Sequence, residues 1–131
     1  MHSGDITIRV RYAETDRMGL LHHANYLVYF EQGRTELLRA QGVSYKDLED
    51  QGFLLVLTRV EVKYRRPARY DDLLEVRTRL VAHSGARVSF EYEILGEGAS
   101  EPLATGFTAH AAVVASGRPR RLPPEVRRLL Q

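Results

Sequence analysis

The amino-acid sequence predicts an α+β fold with one early strand, one long helix and four consecutive antiparallel strands. The first observation is an amphipathic pattern with the helical period of 3.6 residues between Ala24 and Gln41. The second is a change to a period of two residues in several segments after Gly52. Because these segments follow one another closely, they should pair as one sheet, and such a sheet can wrap around the helix.

The first strand is predicted over Thr7 to Tyr12, and a polar loop from Glu14 to Gly19 follows it. In the long helix the apolar stripe is spaced at i, i+4, i+7 and i+11, at positions Tyr26, Phe30, Gly33 and Leu37. A glycine weakens a helix by about 1 kcal/mol relative to alanine, so Gly33 on this stripe predicts close packing against another element. Gly42 suits the left-handed cap that ends a helix.

Four segments of alternating polarity follow the helix. The first, Val56 to Tyr64, alternates strictly and is predicted to be a half-buried strand. Leu74 to Leu80 and Val88 to Ile94 repeat the pattern, and His83 to Ala86 should join them as a hairpin. The last segment, Leu103 to Ala115, is apolar or small on both faces, which is typical of a strand in the middle of a sheet.

The length of the chain predicts a single domain that covers residues 1–131. Residues 117–131 form a basic C-terminal tail, which contains Arg118, Arg120 and Arg121 among three prolines. Proline interrupts regular structure, so the tail should be irregular until Glu125 to Leu130, where one or two helical turns are expected.

The composition excludes several classes of function. The net charge is only +2 and no basic stripe is present, so we expect no nucleic-acid partner. The chain has no cysteine, which excludes disulfides, thiolate metal sites and cysteine nucleophiles. It has neither a signal-peptide core nor a run of roughly 18 apolar residues, so we expect no membrane insertion and a cytoplasmic location.

The motifs of two common hydrolase classes are absent from the sequence. There is no Gly-x-Ser-x-Gly nucleophile elbow. The adjacent His22 and His23 lack the spacing of a His-Glu-x-x-His zinc motif, so no metal site and no cofactor are predicted.

The loop before the long helix places the carboxylate of Asp16 beside a helix N-terminus. Such a terminus carries unpaired N–H groups and roughly half a positive charge, which suits a developing oxyanion. Asp16 is therefore a candidate to attack or to deprotonate, with His23 at the helix entry. In the alternative interpretation, Asp16 only accepts hydrogen bonds from nearby backbone amides. Asn25 is expected to be the helix N-cap.

The segment Thr-Asp-x-x-Gly-x-x-x-His-Ala-Asn-Tyr, from Thr15 to Tyr26, continues with Tyr29-Phe30-Glu31 and Arg34-Thr35-Glu36. This combination resembles the 4-hydroxybenzoyl-CoA thioesterase family of hot-dog proteins. It is most similar to the short-chain acyl-CoA thioesterases associated with the Tol-Pal envelope system. The resemblance covers about Thr7 to Val114.

The resemblance implies a fold, an activity and roles for particular residues. It implies a five-stranded antiparallel sheet wrapped around one central helix, in subunits that pair as dimers and often as tetramers. It implies hydrolysis of a short-chain or aromatic acyl-CoA, with Asp16 as nucleophile or general base and His23 implicated in activity. The backbone amides of His23 and Ala24 would form the oxyanion hole. His22 departs from the aromatic residue common in the family, which affects the shape of the acyl pocket.

Coenzyme A is here part of the substrate, and its phosphates suit the planar fork of arginine. Arg59 and Arg66 are candidates on that chemistry. Arg87 with Ser89 is favoured by the resemblance, because related enzymes place a basic residue and a serine at that strand start.

Two other functions fit the same residues. The carrier in the substrate could be acyl carrier protein, with the basic residues meeting an acidic protein instead of a nucleotide. The chain could also be a non-catalytic hot-dog module that holds acyl-CoA as a ligand. A carboxylate that faces a thioester, as expected for Asp16, argues for an enzyme and against a pure binder.

Overall fold

The computed structural model describes residues 3–129, which contain five strands, three α-helices and one turn of 3₁₀ helix. The strands are β1 (Ser3–Arg9), β2 (Leu54–Tyr64), β3 (Leu73–Ser84), β4 (Arg87–Gly96) and β5 (Ala104–Val113). The α-helices are α1 (Asn25–Ala40), α2 (Tyr45–Asp50) and α3 (Pro124–Leu129), and the 3₁₀ turn is Tyr12–Glu14. No helix in the described range is long and apolar enough to cross a membrane.

All five strands form one antiparallel sheet in the order β1-β3-β4-β5-β2. The predicted α+β architecture is confirmed, and it is the arrangement that the family resemblance implied. The apolar last segment is β5, and it lies between β4 and β2 as predicted. The hairpin between β3 and β4 also has the predicted position, with Gly85 in the left-handed region at φ +58°.

Helix α1 packs on the inner face of the sheet through the predicted stripe. Tyr26, Phe30, Gly33 and Leu37 are all buried. A Cβ placed on Gly33 would lie 2.3 Å from Oγ1 of Thr78 on β3, so only glycine allows this approach. The close packing predicted at Gly33 is therefore confirmed.

The edge strand β2 differs from its prediction as a half-buried strand. A bulge between Leu57 and Arg59 shifts the register against β5. Residues directly opposite on paired strands point to the same face. Val60 is opposite the buried Thr108 and so faces inward, whereas Val56 is opposite Ala111 on the outer face. Nearly every β2 side chain is exposed, because within residues 3–129 this strand has a neighbouring strand on one side only and little of α1 covers it.

The C-terminal segment crosses the end of the sheet beside the β3–β4 hairpin. Pro119 bridges to Val113, and the amide of Leu122 bonds to the carbonyl of Gly85. Leu122 and Val126 are buried in the core, which anchors α3. The predicted helical turns are present in α3, although Leu130 lies outside the described residues.

Candidate active site

Asp16 lies in a tight loop whose two arms are joined by backbone hydrogen bonds. Thr15 bridges to Leu21, and the amide of Asp16 donates to the carbonyl of Leu20 at 2.8 Å. The Oδ1 atom of Asp16 accepts from the amides of Met18 (2.8 Å) and Leu20 (3.2 Å). The other carboxylate oxygen, Oδ2, has no hydrogen-bond partner within residues 3–129. One oxygen thus fixes the orientation of the carboxylate and leaves the other available for chemistry.

The start of α1 differs from the prediction that Asn25 caps it. Ala24 occupies the N-cap position without a side-chain bond, and Asn25 is the first helical residue. The side chain of Asn25 donates through Nδ2 to the carbonyl of Glu14 at 3.0 Å. It therefore connects the helix to the Asp16 loop and does not cap the helix. The expected N-cap role of Asn25 was therefore wrong.

The two amides expected in the oxyanion hole have different surroundings. The amide of Ala24 donates to Nδ1 of His22 at 3.2 Å. The amide of His23 donates to no acceptor within the described chain. The His22 ring is exposed, and a rotation that broke this bond would leave the Ala24 amide without an acceptor. His23 is thus the amide that is free to receive an oxyanion in this structure.

The imidazole of His23 is exposed and makes no hydrogen bond with Asp16. Its carbonyl accepts from Oη of Tyr64 at 3.0 Å, which ties the end of β2 to the start of α1. The Tyr64 ring also meets the Tyr26 ring edge-on, with centroids 4.9 Å apart. These contacts fix the helix entry against the edge strand, beside the Asp16 loop.

Sequence reasoning missed Glu14, which is a buried carboxylate next to this loop. It is only 6% exposed, and its Oε1 accepts from the Arg11 amide (2.8 Å) and from Oη of Tyr29 (2.9 Å). A glutamate three residues after a helix-capping position is the sequence signal for the Arg11 bond. The bond to Tyr29 joins residues 15 apart and has no local signal.

We call the exposed apolar side chains of α1 and of the inner face of β2 the apolar strip. Its exposed fractions are 37% for Leu27, 44% for Val28, 46% for Leu57, 39% for Val60 and 51% for Tyr64. At one end of this strip, the Tyr64 hydroxyl bonds to the His23 carbonyl at the helix entry. An exposed apolar surface of this kind can accept an acyl group, a second subunit, or both.

A cavity of about 760 Å³ lies elsewhere, on the outer face of the sheet. It is lined mainly by charged side chains such as Asp5, Lys63, Arg77 and Glu93. Asp16 does not line it, so this cavity is not the site at the helix entry.

Three of the four predicted CoA-binding residues lie together on the outer face. Ser89 on β4 and Arg59 on β2 are both opposite Ala109 of β5. Arg87 is opposite Ala111, two residues further along the same face of β5. The guanidinium of Arg59 also bonds to Glu61 at 2.9 Å. Arg66 lies apart, in the loop after β2, where its amide bonds to the carbonyl of Leu103. We call Arg59, Arg87 and Ser89 the outer shelf.

Comparison with known proteins identifies the family. The thioesterase-like superfamily matches residues 10–130. This chain belongs to that superfamily. It is 39% identical over 94 residues to YneP of Bacillus subtilis, across 72% of this chain and 68% of YneP. It is 35% identical over 88 residues to the acyl-CoA thioester hydrolase YbgC of Escherichia coli O6:H1, across 67% of this chain and 66% of YbgC.

Among solved structures, the DHNA-CoA thioesterase of Staphylococcus aureus superposes on this superfamily member with a TM-score of 0.88. The two are 34% identical, and the match covers 93% of this chain and 82% of that one. The fold is therefore the hot-dog fold of these thioesterases.

A second polar cluster in this thioesterase-like protein lies in the core, away from the Asp16 loop. Nε2 of His110 bonds to Oγ1 of Thr108 at 2.9 Å, and that hydroxyl bonds to Oη of Tyr92 at 2.6 Å. Burial and then the positive charge of Arg34 lower the pKa of His110 to about 4. His110 is thus neutral near pH 7 and has a structural role. No group of three or more His, Asp or Glu side chains within the described residues could hold a metal ion.

Proposed function

We propose that this protein hydrolyses the thioester of a short-chain or aromatic acyl-CoA at the Asp16 loop. The observation that carries the proposal is the Asp16 carboxylate, whose Oδ1 is held by the Met18 and Leu20 amides and whose Oδ2 has no partner within residues 3–129, in a loop that Glu14 joins to the start of α1. Membership of a thioesterase superfamily supports the reaction class. The narrower Tol-Pal-associated type stays a prediction from the residues Thr15 to Tyr26.

Two routes use this geometry. In the first, Oδ2 of Asp16 attacks the carbonyl carbon, the CoA thiolate leaves, and water hydrolyses the resulting mixed anhydride. In the second, Asp16 takes a proton from water, the hydroxide attacks, and the departing thiolate is protonated. Both routes place negative charge on the carbonyl oxygen.

The unpaired His23 amide, with the Ala24 amide once His22 turns away, would receive that negative charge. A well-placed oxyanion donor is worth about 3 kcal/mol of transition-state stabilisation, which is on the order of a hundredfold in rate. The positive end of the α1 dipole adds to this stabilisation.

A second copy of the chain would complete the site. The free edge of β2 and the exposed apolar strip together form a surface that a two-fold partner can cover. Strand β2 has 11 residues and spans about 33 Å. The outer shelf lies near its first half, whereas Tyr64 and the helix entry lie at its end.

Antiparallel pairing of two β2 strands would set the beginning of one beside the end of the other. The partner subunit's outer shelf would then lie beside the end of the first subunit's β2, on the outer face of the joined sheet. A CoA whose thioester lies at Asp16 would pass around the end of β2 for its phosphates to contact that shelf. Arg66, in the loop after the end of β2, would be contributed by the first subunit.

Acyl carrier protein is a second candidate carrier for the acyl group, and the positive charge of the C-terminal tail supports it. Residues 117–131 carry five arginines and one glutamate, a net +4, although the whole chain is only +2. An acidic carrier protein would complement such a tail.

The test is a thiol-release screen across acyl-CoAs, with the best acyl group then compared on CoA and on acyl carrier protein. We expect release from CoA, with higher kcat/KM on the CoA thioester than on the protein thioester. Preference for the protein thioester would instead support the second candidate. A tight acyl-CoA complex with no thiol release across the screen would show a binding module and overturn the proposal.

A further inference from the structure

Glu14 links both arms of the Asp16 loop to the first turns of α1. Its side chain accepts from the Arg11 amide and from the Tyr29 hydroxyl, at 2.8 and 2.9 Å. Its backbone carbonyl accepts from the amide of His22 at 2.9 Å and from Nδ2 of Asn25 at 3.0 Å. With a longer bond of 3.4 Å from the Arg11 guanidinium to Oε2, five hydrogen bonds from four residues therefore meet at Glu14.

The hydrogen bond between Glu14 and Tyr29 is shielded from water. Glu14 is 6% exposed and Tyr29 is fully buried, so water does not replace their hydrogen bond. Burial raises the pKa of Glu14, but bonds from the Arg11 amide, Tyr29 and the Arg11 guanidinium outweigh burial and lower it. Burial and the nearby Glu14 carboxylate raise the pKa of Tyr29. Near neutral pH the pair is therefore a carboxylate and a neutral hydroxyl donor.

The position of Glu14 in the chain relates it to both halves of the proposed site. Asp16 follows Glu14 by two residues, on the first arm of the loop. His23, which has the free amide, directly follows His22, whose own amide is bonded to Glu14. A shift of Glu14 relative to Tyr29 would thus change the distance between the carboxylate and the oxyanion donor.

We propose that Glu14, held by Tyr29, is a positioning residue that sets the distance between the Asp16 carboxylate and the His23 amide. This inference rests on the proposed function, since it concerns the same site. Glu14 does not contact the substrate and acts only through the geometry of the loop and the helix entry. Misplacement of a catalytic group by about 1 Å is enough to lower a rate on the order of a hundredfold.

The test compares Tyr29→Phe and Glu14→Gln with Tyr92→Phe as a matched control. Tyr92 is also a buried tyrosine, 1% exposed, with a hydroxyl bonded to Thr108 in the core cluster. Each variant is assayed well below its own melting temperature. We expect Tyr29→Phe and Glu14→Gln to lower kcat at least tenfold with KM within about threefold, because binding groups are untouched. Tyr92→Phe should keep kcat within about twofold.

A double variant separates positioning from loss of stability. Once Asp16 is Asn, its distance from the His23 amide no longer matters, so adding Glu14→Gln should lower the residual rate less than threefold. Folded Tyr29→Phe with kcat as high as that of Tyr92→Phe would overturn the inference, even if Glu14→Gln does not fold. In that case an inactive Asp16→Asn variant would still uphold the proposed function. Wild-type turnover by Asp16→Asn would overturn both.

Discussion

Asp16 and Glu14 are two carboxylates, two residues apart, whose surroundings give them different tasks. Glu14 is buried and its hydrogen bonds are satisfied by Arg11 and Tyr29. Asp16 is half-buried and only its Oδ1 is bonded. The alternative interpretation, in which Asp16 accepts hydrogen bonds from nearby amides, is thus correct for Oδ1. The catalytic interpretation concerns Oδ2, which accepts no such bond within the described chain.

Asp16 and the helix entry were chosen as site residues because they lie close together in the chain, and their catalytic roles stay predictions. Sequence reasoning missed Glu14 and wrongly made Asn25 a cap for one shared reason. The bond from Asn25 to Glu14 spans 11 residues, and the bond from Tyr29 to Glu14 spans 15. Contacts at such separations depend on how the loop folds back on the helix, which local patterns do not specify.

The buried His110 predicts a pH dependence of stability. Its pKa is about 4 when folded and about 6.5 when unfolded, so the unfolded chain binds more protons between these values. Stability from this group is therefore present above pH 6.5 and is lost as the pH falls toward 4. At pH 5.0 we expect a loss of about 2 kcal/mol relative to pH 7.5. Urea unfolding at the two pH values measures it.

The control for this prediction is His110→Gln, which keeps a polar group near Thr108 but does not titrate. Arg34 and Tyr92, the other ionisable groups of the cluster, stay in place. The variant should lose about 2 kcal/mol less than the wild type between pH 7.5 and pH 5.0. Equal losses in both proteins would show that His110 is not the titrating group.

At the scale of elements, periodicity predicted α1 and the four later strands but not the bulge in β2. The first strand, predicted over Thr7 to Tyr12, is instead Ser3–Arg9, and Tyr12 begins the 3₁₀ turn. Val56 to Tyr64 alternate strictly in the sequence, so nothing local marks the break between Leu57 and Arg59. The bulge arises where β2 pairs with β5, and the Thr58 hydroxyl bonds there to the carbonyl of Ala109. Cross-strand register depends on two segments together, so it cannot be predicted from the local pattern of either segment alone.

The contact between α1 and β3 makes a prediction at this scale. Gly33→Ala adds a Cβ 2.3 Å from Oγ1 of Thr78 and 3.2 Å from Val76. Overpacking typically costs 1–3 kcal/mol, which exceeds the gain of about 1 kcal/mol in helix propensity. We expect a net loss of about 1 kcal/mol in the free energy of unfolding, measured by urea denaturation. Gln32→Ala, at an exposed position of the same helix, should change it by less than about 0.5 kcal/mol.

A Gly33→Ala variant as stable as the wild type would mean that α1 is further from the sheet than the structure places it. Thr78 has little freedom to move aside, because its branched side chain is buried and restricted in rotamer.

At the scale of the whole molecule, the exposed β2 edge predicts a dimer. A protomer of 14.9 kDa that leaves Leu57, Val60 and Tyr64 exposed beside an unpaired strand should pair with a second copy. Light scattering after size exclusion should give twice the protomer mass for the wild type. Val60→Lys places a charge in the apolar strip and should shift the mass toward one protomer.

Thr7→Lys is the matched control, because it adds the same charge at an exposed position of β1, the opposite edge strand. It should keep the dimer mass. A wild-type protein that is monomeric and fully active would contradict the two-subunit site.

The outer shelf illustrates how far the candidate CoA-binding residues could be located from the sequence. Arg59, Arg87 and Ser89 were each chosen for their chemistry or by resemblance, and the register through β5 brings them together. Arg66 was chosen on the same chemistry but lies at the other end of β2. Side-chain chemistry was readable from the sequence, whereas spatial grouping required the pairing of three strands.

The most direct test of the account is the turnover of Asp16→Asn on the best acyl-CoA, compared with Asp72→Asn. Asparagine retains an oxygen that can accept from the Met18 and Leu20 amides, so the loop should keep its shape. Asp72 is a matched loop aspartate that accepts from the Arg69 amide at 2.9 Å. We predict at least a hundredfold loss of kcat for Asp16→Asn, with acyl-CoA affinity within about threefold, and kcat within about twofold for Asp72→Asn. Turnover by Asp16→Asn within a few-fold of the wild type would contradict the account.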